Sequence, residues 1–178
     1  MMEENDVEIK KIHGLVWTPV RTKPRREKKL AEYCSTHSAP FYLPLKKSVR
    51  RYQRRTVEFM IPMFPGYVFC ALDDSTYSKI VQCGAIVYRV KMTPELEKGL
   101  IDDLVALRDF EKMTREAEIV VRPEILEGVR VKVRSGPLRG VCGVVEKRDD
   151  GVMLSVGVEI LGQSVSTKLD IEDVELEE

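Results

Sequence analysis

Pro62-Met63-Phe64-Pro65-Gly66-Tyr67-Val68-Phe69 gathers aromatic and apolar groups around a Pro-Gly turn, directly after a strongly basic run. Each proline biases the residue before it toward extended backbone, and Gly66 permits a tight turn that other residues resist. The segment therefore predicts a turn feeding a strand at 67–72. Strand side chains alternate between two faces, which sends Val68, Cys70 and Leu72 one way and Tyr67 and Phe69 the other. The first set suits a core. For the aromatic set, joined by Phe64, a buried strand face and a contact surface are both open readings.

Upstream, 15–22 reads as a strand around Trp17, and Pro19, having no N–H, demotes it to a sheet edge or forces its donor side toward solvent. After Pro24, Leu30, Ala31, Cys34 and His37 recur at the spacing of one helix face, and the helix should end near Ser38. Phe41-Tyr42-Leu43 is a short strand, 46–55 a basic hairpin tip or loop, and 56–61 the return strand. Downstream come a short helix at 75–81 and a strand at 86–90. This alternation predicts an α+β fold, with an α/β sandwich as the first domain. Thr93-Pro94-Glu95 then starts a helix whose apolar face is Leu96, Leu100, Leu104 and Leu107.

The segment 109–124 is charged and aperiodic, an interdomain linker, while 1–13 lacks periodicity and reads as a mobile leader. That leaves 14–108 and 125–178 as the two domains. In the second, Val129, Val131 and Val133 alternate with Arg130, Lys132 and Arg134, the period of a half-buried strand. Further alternating runs bounded by turns at 149–151 and 161–163 make five short strands, which predicts a small five-stranded β-barrel. Its glycine cluster, Gly136 to Gly143, has no Gly-Lys-Ser/Thr ending and precedes strand-type residues, so it shapes a turn rather than cradling phosphate.

Catalysis finds no foothold in the sequence. The four cysteines, at 34, 70, 83 and 142, include no Cys-x-x-Cys pair, and His13 and His37 are the only imidazoles, which argues against a metal site, a cofactor site or a nucleophile-plus-base pair. The pairs Asp102-Asp103 and Asp149-Asp150 read as a helix surface and a turn. No apolar run reaches membrane-spanning length, and the acidic first residues are unlike a secretory signal, so the reading is cytoplasmic with no membrane partner.

The formal net charge of zero conceals a division: residues 1–91 carry 17 Lys/Arg against 9 Asp/Glu, and 92–178 carry 12 against 20. A basic first half suits a polyanion, and the acidic second half does not. Two clusters concentrate the charge. Lys23, Arg25 and Arg26 stand at the start of the first helix, where free N–H groups also attract phosphate. Arg50, Arg51 and Arg54 belong to the basic loop, with Tyr52 able to stack on a base.

Taken in order, Trp17, Thr22-Lys23-Pro24-Arg25 with Glu27, and the Pro62 to Phe69 segment resemble the NusG-type transcription elongation factors, a family that includes RfaH-like antiterminators. Gly128, Val131, Ser135, Gly136, Pro137, Gly140 and Gly143 look like the KOW motif of that family's second domain, an SH3-like barrel. The resemblance implies a non-enzymatic factor whose N-terminal domain binds the clamp helices of the largest RNA polymerase subunit through Phe64, Tyr67 and Phe69. It further implies contact of Lys23, Arg25 and Arg26 with the non-template DNA strand, suppressed pausing or termination, and a KOW domain that recruits Rho or a small-subunit ribosomal protein. Thr18 and Pro19 depart from the family's usual aromatic and aliphatic residues, and the leader and dense basic segment lean toward a specialised paralogue. The rival reading is a KOW-containing RNA-binding or ribosome-associated protein that does not act on polymerase.

Overall fold

The residues Val16–Thr22 form β1, and this strand lies inside a sheet, not at its edge. The structure, a computed structural model, describes residues 7–53, 55–114, 128, 130–133, 138–148, 151–168 and 174–176. Two compact units divide the chain, 1–101 and 102–178. After β1 come α1 (Glu27–Thr36), β2 (Phe41–Tyr42), β3 (Leu45–Tyr52), β4 (Arg55–Pro62), β5 (Tyr67–Leu72), α2 (Asp74–Ile80), β6 (Ile86–Arg89) and α3 (Pro94–Thr114).

The main sheet of the first unit has the order β2-β5-β1-β6, with β1 antiparallel to both neighbours. Pro19 was expected to put β1 at an edge or to turn its donor side toward solvent, and its surroundings explain why neither occurs. The Pro19 carbonyl accepts from the Val90 N–H at 3.0 Å, so its missing donor faces the same side. There the Thr18 hydroxyl donates to the Val90 carbonyl at 2.7 Å and supplies the hydrogen bond that proline cannot.

One face of this sheet packs on helices. Val20, Val68, Cys70 and Leu72 join Leu30, Ala31 and Cys34 of α1 and Ile80 at the end of α2 in a single buried core. The alternation along β5 thus sends its small apolar residues toward α1. His37 does not continue the α1 face as its spacing suggests: it is exposed, just past the helix end, with its ring stacked on Tyr33 at 4.2 Å. Burial pushes the Cys70 thiol up, and its sulfur lies 3.9 Å from that of Cys34. Asp73 caps α2 by accepting from the Thr76 N–H at 2.6 Å.

Helix α3 begins as its sequence dictates, with Thr93 Oγ1 accepting from the Leu96 N–H at 3.3 Å. Its buried stripe is Leu100, Leu104, Leu107 and Phe110, whereas Leu96 is exposed and Glu97 is buried in its stead. Phe110 and Glu111, both buried, carry the helix on to Thr114, so 109–114 of the expected linker are helical. The leader differs as well. Ile9 is buried, the Lys10 carbonyl accepts from Trp17 Nε1 at 2.8 Å, and Lys11 pairs with Glu97. Glu97 also accepts from the Trp17 N–H at 3.0 Å, so 7–13 are held against β1 and α3 by polar contacts that hydrophobic periodicity does not register.

In the second unit, β7 (Arg130–Val133), β8 (Cys142–Arg148), β9 (Gly151–Val158), β10 (Gln163–Lys168) and β11 (Val174–Leu176) form an antiparallel sheet ordered β10-β9-β8-β7-β11. Val131 and Val133 are buried and Arg130 and Lys132 exposed, as the alternation requires. The five strands are there, but the expected closed barrel is not found. Closure needs a ladder between the two outer strands, and among the described residues none joins β10 to β11; the three residues of β11 pair with β7.

Candidate functional site

Gly66 adopts φ +85°, a left-handed conformation that suits glycine, and its N–H donates to Glu27 Oε1 at 2.7 Å. The turn is thereby fixed to the first residue of α1, and it delivers Tyr67 into register with Arg21 of β1. Arg21 is in turn opposite Tyr88 of β6. Three strands therefore present one cross-strand row, Tyr67, Arg21 and Tyr88. The Arg21 guanidinium lies 4.8 Å from the Tyr67 ring centroid and donates to the Pro65 carbonyl at 3.4 Å. A hydrogen bond with Tyr67 pushes the Tyr88 hydroxyl up, and nearby Arg21 opposes that shift.

Of the three aromatics read as a contact face, Tyr67 is half-buried, while Phe64 and Phe69 are buried at 1% and 0% exposure. Their rings meet edge to face with centroids 6.0 Å apart, and the Tyr42 ring centroid lies 6.5 Å from that of Phe69. The phenylalanines are thus committed to a packed aromatic layer. The exposed aromatic in this region is Tyr88, at 47%. Sequence reasoning missed Tyr88 and the row that joins it to Tyr67 through Arg21, because the row depends on strand order and local pattern does not encode it.

Lys23, Arg25 and Arg26 are all exposed in the turn between β1 and α1. The Lys23 N–H donates to the Ala85 carbonyl at 2.8 Å, Arg25 has φ +60°, and Arg26 is the N-cap of α1 without a side-chain cap. Three cations are therefore held close together by backbone geometry.

The second basic cluster is strand where a loop was expected. β3 and β4 pair antiparallel as a separate two-stranded ribbon, with Lys46 opposite Ile61, Ser48 opposite Phe59, Arg50 opposite Val57 and Tyr52 opposite Arg55. Charge on both faces conceals the period of two. Arg50 and Arg51 consequently point to opposite faces. Arg54 lies outside the described residues.

Of the glycine-motif positions in the second unit, Ser135, Gly136 and Pro137 lie outside the described residues. Gly128 and Gly140 have φ +84° and +89°, and their N–H groups each donate at 2.7 Å, to the Val145 and Val133 carbonyls. Gly143 lies so close to β9 that a Cβ there would sit 2.5 Å from the Ser155 carbonyl oxygen. Val131 is buried. These residues shape the sheet.

Among the described residues, no group of three or more His, Cys, Asp or Glu is arranged to hold a metal ion, and no helix is long and apolar enough to cross a membrane. No curated protein matches the chain. Among solved structures, the one described as "Domain interaction in Thermotoga maritima NusG" is 21% identical, covering 92% of this chain and 98% of that one, with a TM-score of 0.48. A structure of the MjSpt4:Spt5 complex, in conformation B, is 17% identical over 90% of this chain and 95% of that one, with a TM-score of 0.29. The family model described as "NusG: Transcription termination factor nusG" matches residues 15–103, which take in β1 to β6, the Pro-Gly turn and the start of α3. This match spans half of the sequence, and the chain belongs to the NusG family.

Proposed function

We propose that this protein is a non-enzymatic transcription elongation or antitermination factor that binds the clamp helices of bacterial RNA polymerase and touches the non-template DNA strand. The observation that carries the reading is the family match over 15–103, the segment that contains the aromatic row and both basic clusters. Tyr67 and Tyr88 supply amphipathic rings at the surface, flanking Arg21, a combination favoured at protein interfaces. Phe64 and Phe69 pack against each other beside that row, Phe69 on the same strand face as Tyr67. Lys23, Arg25 and Arg26 face the DNA strand, and Arg50 and Arg51 add basic charge nearby in sequence. Bridging the polymerase cleft in this way stabilises one conformational population and so suppresses pausing or termination. The second unit acts as a KOW-type module and recruits a further partner such as Rho or a small-subunit ribosomal protein, raising its local concentration at polymerase.

The test is retention of the purified chain on bacterial core RNA polymerase. Wild type is retained, and the Tyr67→Ala, Tyr88→Ala double variant binds at least about tenfold more weakly with its circular dichroism unchanged. No retention of wild type, or full retention of the folded double variant, overturns the assignment of this surface.

A further inference from the structure

The ribbon of β3 and β4 has two unlike faces. One carries Lys46, Arg50 and Tyr52 from β3 with Arg55, Phe59 and Ile61 from β4, and every one of these side chains is exposed. Tyr52 is 52% exposed, Phe59 40% and Ile61 38%, high values for large apolar groups. The Arg50 guanidinium lies 5.9 Å from the Phe59 ring centroid. The other face carries Lys47 and Glu58, which form an ion pair at 2.6 Å, and Leu45, which packs against the core of the first unit. The base of the ribbon is fixed to α1 where Lys28 Nζ donates to the Met60 carbonyl at 2.7 Å.

We infer that the face bearing Tyr52 and Phe59 is a platform for single-stranded nucleic acid, with bases stacked on the two rings and phosphates beside Lys46, Arg50 and Arg55. Three cations and no acid on that face, among the described residues, match a polyanion. Exposed rings interleaved with the cations match unpaired bases, because every base offers a π-face once it is unstacked. Tyr52 and Phe59 are four strand positions apart in register, about 13 Å, enough for two separate bases. A duplex is the poorer fit: a two-stranded ribbon in the major groove reads base edges with polar groups and leaves these rings without a use. This assignment deepens the nucleic-acid part of the proposed function, rests on that reading, and does not require polymerase.

The experiment is fluorescence anisotropy of the full chain with labelled oligothymidylate, oligouridylate and a mixed-sequence duplex, each of about 12 nucleotides or base pairs. Single strands should bind more tightly than the duplex, and the stronger of the two single-strand arms identifies DNA or RNA as the source. Tyr52→Ala with Phe59→Ala should weaken single-strand binding at least about tenfold. Tyr52→Leu with Phe59→Leu, which keeps apolar bulk, should lose as much with unchanged circular dichroism, and Lys47→Ala on the other face should change binding less than about twofold. Equal binding of duplex, or full single-strand affinity in the leucine pair, overturns the assignment. Polymerase retention is scored on the same leucine pair: loss of oligonucleotide binding with retention intact supports the platform separately, and intact oligonucleotide binding with retention lost refutes it.

Discussion

Glu27 and Gly66, separated by 39 residues, are joined by a 2.7 Å hydrogen bond from the glycine N–H to the buried carboxylate. This contact joins the start of α1 to the turn that places Tyr67, so the basic turn and the aromatic row share one fixed frame. Glu27→Ala leaves the Gly66 N–H without its partner in a site water does not reach, and is expected to cost about 1–3 kcal/mol. Glu27→Gln keeps an acceptor oxygen and should recover most of the loss. Urea denaturation of the three chains checks it.

Gly66 is sensitive for a second reason. A Cβ at this position would lie 2.3 Å from a guanidinium nitrogen of Arg21, on backbone with φ +85°. Gly66→Ala should therefore destabilise by about 1–3 kcal/mol through backbone strain and also push Arg21 off the Tyr67 ring. A chemical-shift change at Tyr67 and Tyr88 larger than that at residues of α2 would report the displacement.

Asp103 gives the second unit a pH dependence. Its carboxyl, about half buried, is pushed up from the usual 3.8, first by desolvation, then by the charges of Glu159 and Asp102, while the Glu159 N–H, donating at 3.0 Å, and Arg130 pull it down. A carboxyl raised on folding favours the folded state when protonated. Its contribution is full below 3.8 and is lost as pH rises through the raised value. Asp103→Asn keeps an acceptor for the Glu159 N–H and removes the charge. It should unfold at an equal or higher urea midpoint at pH 7, with a flatter profile across the carboxylate range. A lower midpoint at pH 7 would show that the charge is needed.

Much of this was legible because one physical signal dominated each stretch. Leu30, Ala31 and Cys34 recur in α1, and Val131 and Val133 alternate with Arg130 and Lys132 in β7, because each of these elements has one wet and one dry side, whereas β5 is buried on both faces. The ribbon was hidden for the opposite reason: with Lys46, Lys47, Arg50 and Arg51 on both faces, no alternation in polarity survives. Phe64 and Phe69 were open between core and surface because an aromatic ring suits either, and only their mutual packing decides. The Tyr67, Arg21, Tyr88 row needs β1 between β5 and β6, and Pro19 argued against that order until Thr18 was seen to satisfy Val90.

The basic turn makes the last prediction. Lys23, Arg25 and Arg26 are exposed around the N-terminus of α1, where no side chain caps the helix, so phosphate binding there would replace condensed counterions. Each phosphate contact on a single strand contributes about −0.7 to the slope of log K against log salt. Reversing all three to Glu should flatten the slope measured on a single-stranded DNA by about 2 and weaken binding most at low salt. The ribbon is untouched by these changes, so the losses caused by Tyr52→Leu and Phe59→Leu should persist in the reversed chain as a factor independent of salt. Titrations at four salt concentrations separate the two contributions: an unchanged slope in the reversed chain would mean that the turn holds no phosphate.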